Sequence, residues 1–260
     1  MPEGDTVWRT AHHLHEALAG QVLTRCDVRV PQFATVDLTG QVVDEVVSRG
    51  KHLLTRVGAT SIHSHLKMEG AWHVYRLDTP WRRPAHSARI VLANQTSQAV
   101  GFSLGMLDIV PRDREDDVVG HLGPDLLGPD WDLDEAVRRV ASDPDRPVFL
   151  AMLDQRNLAG LGNEYVNELL FLHGLAPTRR VGDVPDVRRL LQRSQRVLDA
   201  NKARVERSFT GSTRTGEERW VYNRERRRCR RCGTSIRRGD LGDRPTTERQ
   251  TYWCPHCQPA

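Results

Sequence analysis

The sequence predicts an α+β chain in which a leading helix and a run of antiparallel strands precede a helical region and a cysteine-paired, arginine-rich tail. Three observations predict it. Eight β-type segments follow a helix-period N-terminus and are punctuated by Gly and Pro. The periodicity turns helical after about Gly120. Four of the five cysteines form two Cys-x2-Cys pairs near the C-terminus.

Val7, Ala11, Leu14 and Leu18 recur at steps of 4, 3 and 4, which predicts a helix over residues 5–19, capped by Asp5 and stopped by Gly20. The β-type segments are Gln21–Val30, Gln41–Ser48, Lys51–Val57, Thr60–Lys67, Ala71–Leu77, Ala88–Ala93, Ala99–Ser103 and Leu107–Val110, a pattern that argues for an antiparallel sandwich or barrel. The first domain is therefore expected to span residues 1–119. His121 to Trp131 contains two Gly-Pro steps and cannot continue a strand ladder, so residues 120–130 are expected to link the domains. Asp132 to Glu135 reads as a capping box for the next helix, and Pro147 to Asp154 as a second. The Gly-rich turn Asn157 to Asn163 leads into a helix that Gly174 ends. A further helix runs from about Val187 to Val205. The helical domain is expected over 131–215 and the tail over 216–260.

Net charge is +4, yet residues 200–260 hold 15 Lys or Arg against 7 Asp or Glu, while residues 1–199 hold 23 against 27. Basic charge gathered at one end fits either a polyanion partner or a solvated face, and the dominance of Arg, which forks onto phosphate, favours the polyanion. No apolar run reaches the length of a membrane span, and acidic Glu3 and Asp5 stand where a secretory leader would be basic, so a cytoplasmic protein is expected.

Cys229 and Cys232, then 21 residues, then Cys254 and Cys257 supply four thiolates in two knuckles. That closed four-sulfur set suits one structural Zn2+ per chain rather than catalytic zinc or disulfides in a reducing compartment. His256 is a bystander, Cys26 a buried small hydrophobe, and His63 and His65 are read as structural. Few apolar residues separate the pairs, so metal should supply the hairpin's folding free energy.

The glycines before Asn163 fit a phosphate cradle at a helix N-terminus or a tight connection between packed helices equally well. At the other end, removal of Met1 would leave Pro2 as a secondary amine at the head of a helix. The helix dipole lowers the pKa of such an amine from roughly 8, which would suit a nucleophile, but Pro at position 2 is common and on the residues alone an ordinary N-terminus fits better.

MPEGDTV, SRGKHLL (Ser48 to Leu54), SHLKMEG (Ser64 to Gly70), LDQRNLAGLGNEYVNE (Leu153 to Glu168) and VYNRERRRCRRCG…RQTYWCPHCQ occur in one order. Together they resemble the formamidopyrimidine-DNA glycosylase/endonuclease VIII family over essentially the whole chain. The resemblance implies an N-terminal β-sandwich, a helix–two-turn–helix region and a zinc-finger β-hairpin. It implies a monomeric enzyme of base excision repair acting on duplex or partly single-stranded DNA with damaged bases or abasic sites. Position by position, Pro2 resembles the nucleophile that attacks C1′, and Glu3 the acid that protonates the sugar ring oxygen. Lys51 resembles a phosphate-contacting lysine that assists the chemistry. Asn163 and Arg249 match the family's phosphate-binding asparagine and zinc-finger arginine. Met68 stands where the family inserts an apolar wedge behind an extruded base.

The chain reads PEGDT where many members have PEGPE, so Thr6 replaces a second acidic residue. The Arg/Phe turn of oxidised-purine enzymes is absent from Phe102 to Asp108, and Ser208 to Trp220 is short for a loop capping 8-oxoguanine. Both departures point to the endonuclease VIII branch and oxidised pyrimidines. The alternatives are an oxidised-purine glycosylase, a lyase with little glycosylase activity, and a non-catalytic damage binder, against which the Pro2, Glu3 and Lys51 set argues.

Overall fold

Glu3 is extended, at φ −123° and ψ −174°, and turns the chain into helix α1 (Gly4–Leu18), whose first bond runs from Val7 N to Glu3 O. The expected cap, Asp5, instead lies inside the first turn. Its Oδ1 accepts the Thr6 N–H at 2.7 Å, because the helix begins one residue earlier than its apolar spacing suggests. Val7, Ala11, Leu14 and Leu18 are buried, and Gly20 takes φ +73° just beyond the helix. The computed structural model describes residues 2–259 and divides into two units after His121.

The first unit adds eight strands: β1 (Arg25–Val28), β2 (Val43–Arg49), β3 (His52–Val57), β4 (Thr60–His65), β5 (Ala71–Arg76), β6 (Ala88–Ala93), β7 (Ser97–Phe102) and β8 (Met106–Pro111). They form two four-stranded sheets, β2-β3-β4-β8 and β1-β6-β7-β5, with every neighbouring pair antiparallel. One core joins them: Val46, Leu53 and Ile62 of the first sheet pack with Ile90, Leu92 and Ala99 of the second and with the apolar face of α1. This is a sandwich. Each fully buried Leu or Ile there contributes about 1.5–3 kcal/mol. Cys26 in β1 is half-buried rather than sealed in the core. After the short α2 (Asp116–Val119), His121 ends the unit.

The second unit carries α3 (Leu133–Val140), α4 (Val148–Leu153), α5 (Asn163–His173) and α6 (Val187–Lys202), then the hairpin β9 (Arg237–Leu241) and β10 (Arg249–Trp253). Asp132 caps α3 by accepting Asp134 and Glu135 N–H at 2.9 and 3.1 Å. The return half of the expected capping box does not form, because Arg138 and Arg139 take the Glu135 carboxylate at 2.6 Å. Gly174 closes α5 in the left-handed conformation, φ +67°. Phe149, Tyr165, Leu169 and Leu190 are fully buried in the helical core. A second small core joins Phe171 of α5 to Val221, Cys229, Ile236, Tyr252 and Cys254, so the hairpin borrows its apolar cover from the helix.

Candidate functional site

In the first unit, three strand pairings bring the expected residues to one end of a sheet. Arg49 pairs with His52, leaving Gly50 and Lys51 as a two-residue turn. Gly50 supplies the positive φ of +57° that such turns require at their first central position. Lys51 thus sits in the turn rather than at the start of the strand. His52 pairs with His65, and His65 with Met106, so one row crosses β3, β4 and β8 at this end. Lys67 and Met68 follow His65 directly.

Helix α1 runs antiparallel to β2. Gly20 N bonds Val43 O at 2.8 Å, and His15 Nδ1 accepts the Val46 N–H at 3.2 Å. Its N-terminal end therefore points toward the end of β2 that carries the Lys51 turn. Pro2 is half-exposed there, whereas Glu3, Gly4 and Asp5 are buried, Glu3 to 1%. Removal of Met1 concerns a residue outside those described.

The wedge candidate is 69% exposed, so Met68 is not a core residue. Its loop is fixed by Gly70 N to Leu66 O at 2.9 Å, by Lys67 N to His65 Nδ1 at 2.9 Å, and by Arg83 donating to Glu69 O. A Cβ on Gly105 would lie 2.3 Å from Lys67 Cγ, so the β7–β8 turn packs tightly on this loop. Met106, exposed at 37%, stands at the same end and was not anticipated from sequence.

The sequence reading also missed a histidine network. Asp108 Oδ2 lies 3.1 Å from His63 Nδ1, and since a carboxylate accepts, that nitrogen carries the proton. His63 Nε2 then accepts from His52 Nδ1 at 2.7 Å. Rings of His65 and His121 stand edge-on to His52. Burial, then the neighbouring imidazoles and Lys67, pulls His52 down to about 3. Burial with Lys67 and Lys51 pulls His65 down to about 4. The His52 and His65 rings are therefore uncharged at neutral pH.

In the second unit, the Gly-rich turn is held by one side chain. Gln155 Nε2 donates to Leu153 O and Leu161 O at 2.8 and 2.9 Å, and its Oε1 accepts the Gly160 N–H at 3.1 Å. Gly160, at φ +112°, adopts a backbone that a side chain would strain. Asn163 is the first residue of α5, after Gly162 as N-cap, where the positive end of the helix dipole suits an anion. Asn167, one turn on, donates to Asn163 Oδ1 at 3.3 Å. Arg249 opens β10 opposite Leu241 and is exposed.

The four cysteine sulfurs lie within 4.8 Å of one another, with Cys232–Cys254 at 3.4 Å and Cys229–Cys257 at 4.0 Å. A tetrahedral site with bonds of about 2.3 Å needs sulfurs about 3.8 Å apart, so these residues fit one metal ion. Cys229 and Cys254 are buried, and His256 is exposed outside the set. Arg231 lies 4.4 Å over the Phe171 ring, which braces the first knuckle against α5. Between the last helix and the hairpin, Phe209 N bonds Glu218 O and Trp220 Nε1 bonds Phe209 O, closing Ser208–Trp220 on itself. Arg207 and Arg219 both pair with buried Glu164 beneath it. No helix among the described residues is long and apolar enough to cross a membrane.

Residues 1–103 match the family profile described as the formamidopyrimidine-DNA glycosylase N-terminal domain, and residues 122–211 match the formamidopyrimidine-DNA glycosylase H2TH domain. The chain is 53% identical to the DNA-(apurinic or apyrimidinic site) lyase Nei2 of Mycolicibacterium smegmatis, covering 100% of both chains. It is also 53% identical to Endonuclease 8 2 of Mycobacterium tuberculosis, over 99% of this chain and 100% of the relative. The fold matches a Lactococcus lactis formamidopyrimidine-DNA glycosylase structure, non-covalently bound to DNA with an AP site, at TM-score 0.81 and 23% identity, covering 100% of each chain. Sequence and fold agree, and the chain belongs to the formamidopyrimidine-DNA glycosylase/endonuclease 8 family of DNA-repair glycosylases and abasic-site lyases.

Proposed function

We propose that the chain excises oxidised bases from DNA, pyrimidines favoured, and then cuts the strand by β,δ-elimination. The observation that carries this reading is the buried Glu3 directly after half-exposed Pro2, at the helix end pointing toward the Lys51 turn. Once Met1 is removed, the Pro2 nitrogen attacks C1′ and the glycosidic bond breaks, with the base leaving as the protonated free base. Glu3 protonates the ring oxygen, the sugar opens, and the lone pair of the secondary amine forms an iminium. That nitrogen has no second proton to lose, so the cation persists and acidifies C2′–H. Loss of that proton expels the 3′ phosphate, and a second elimination expels the 5′ phosphate. Water then releases Pro2.

Lys51 is assigned to a phosphate beside the reacting sugar. Asn163 and Arg249 are assigned to backbone phosphates and Met68 to the space left by the extruded base. Cys229, Cys232, Cys254 and Cys257 would hold a structural zinc, which contributes folding free energy to the hairpin and takes no part in the chemistry. The enzyme is proposed to act as a monomer on damaged duplex or partly single-stranded DNA. The three-residue turn between Phe102 and Met106 and the self-closed Ser208–Trp220 segment support a pyrimidine preference.

Borohydride trapping on abasic DNA tests the chemistry. Processed wild type should form a covalent adduct whose peptide mapping places the sugar on Pro2; an adduct mapped to another residue would move the nucleophile elsewhere. Excision from duplexes with 5-hydroxyuracil or 8-oxoguanine tests the preference. A second reading is a lyase with little glycosylase activity, favoured by the lyase name of the Mycolicibacterium relative. Release of free base separates the two.

A further inference from the structure

The most heavily bonded buried polar side chain near the proposed DNA contacts is Asn167, fully buried in α5. Its Oδ1 accepts the Tyr252 N–H at 2.6 Å. Its Nδ2 donates to Asn163 O at 2.8 Å and lies 3.3 Å from both Asn163 Oδ1 and Gln250 O. The amide orientation is therefore not ambiguous: an N–H faces one end, so that end is oxygen, and three acceptors surround the nitrogen.

Two consequences follow. With Oδ1 of Asn163 turned to the Asn167 donor, the NH2 group of Asn163 is the end directed away, which is the end a phosphate oxygen needs. Meanwhile Gln250 O and Tyr252 N are held to α5, fixing the strand immediately after Arg249. One side chain thus sets the rotamer of one phosphate ligand and the position of the strand bearing the other. A buried amide left with unpaired groups is costly, so the arrangement is self-enforcing.

We infer that Asn167 is a positioning residue that aligns Asn163 and the Arg249-bearing strand for joint capture of the DNA backbone. The inference rests on the reading of Asn163 and Arg249 as phosphate contacts. A hydrogen bond that merely glued the hairpin to the helix would affect stability and leave recognition tied to Asn163 untouched.

The test uses full-length zinc-loaded protein and a duplex with a tetrahydrofuran abasic analogue, which binds without being cut. Asn167→Asp keeps the acceptor for Tyr252 and removes the donor facing Asn163. It should weaken binding about tenfold and make the salt dependence shallower by about one phosphate contact. Single-turnover cleavage at saturating abasic DNA should fall no more than about twofold, with zinc retained, so the loss lies in binding. In an Asn163→Ala background the same change should cost less than about threefold, the part that acts through the lost Gln250 bond and the Arg249-bearing strand. Additive losses, or unchanged binding by Asn167→Asp where Asn163→Ala does weaken it, overturn the inference. Unchanged binding by Asn163→Ala itself overturns the phosphate reading instead. If Asn167→Asp does not fold, wild type decides through its side-chain amide NMR signals. The Asn167 NH2 should exchange slowly and stay put on DNA addition while the Asn163 NH2 shifts; a fast-exchanging Asn167 amide sinks the idea.

Discussion

The Glu168 carboxylate accepts the Tyr222 backbone N–H at 2.7 Å from a position sealed from solvent. It also accepts Val221 and Trp220 N–H at 2.9 and 2.8 Å, so the segment entering the cysteine tail hangs on one acid of α5. Asn167 beside it holds the far end of the same tail, at Tyr252. Two adjacent side chains of one helix turn therefore fix both ends of the metal-binding region.

Burial pushes Glu168 up to about 7, although the three N–H donors pull the other way. With the folded pKa above its ordinary 4.5, the proton stabilises the folded state. That contribution is complete below about 4.5 and is lost as pH rises through about 7. The loss is on the order of 3 kcal/mol. Urea denaturation of wild type and Glu168→Gln at pH 5 and pH 8 measures it, since Gln has no proton to give up. Wild type should lose stability relative to the variant over this interval, and parallel profiles would refute the assignment.

Metal removal should act on the tail. A strong chelator is expected to release one zinc per chain and lower affinity for abasic-analogue DNA at least tenfold, because the knuckles have little apolar cover of their own. Cys257→Ala should reproduce both effects and His256→Ala neither. Metal analysis and binding on the same samples check this, and zinc lost equally from His256→Ala would enlarge the ligand set.

What the sequence revealed and what it hid divide along physical lines. Strand alternation, Gly20, Gly174 and the cysteine pairs act locally, so α1, the eight strands, α5 and the four-sulfur cluster were legible. Lys51 was placed in a strand because its neighbours alternate, but Gly50 at positive φ makes a turn of it. The roles of Asn167, Glu168 and Gln155 were not legible, since a polar residue in a helical or Gly-rich run carries no local sign of what it bonds. Their partners at Tyr252, Tyr222 and Gly160 are set by tertiary packing. The His52–His63–Asp108 chain depends on the register of three strands, which no single segment encodes.

Met68 gives the sharpest test of base extrusion. Turning a nucleotide out of the stack costs a few kcal/mol, and an apolar side chain entering the gap offsets part of it. The thioether is 69% exposed, so truncation removes little from the fold, and folded-state stability should stay within about 0.5 kcal/mol. Met68→Ala should therefore slow base release from a 5-hydroxyuracil duplex about tenfold, equivalent to about 1.4 kcal/mol of barrier. Cutting at a preformed abasic site should change by less than about threefold, because no base has to be unstacked there. Met68→Leu, apolar and of similar volume, should restore most of the rate. Single-turnover kinetics on the two substrates separate the steps. Equal losses on both would mean that Met68 supports DNA binding in general and that some other side chain, with exposed Met106 the first to examine, fills the vacated space.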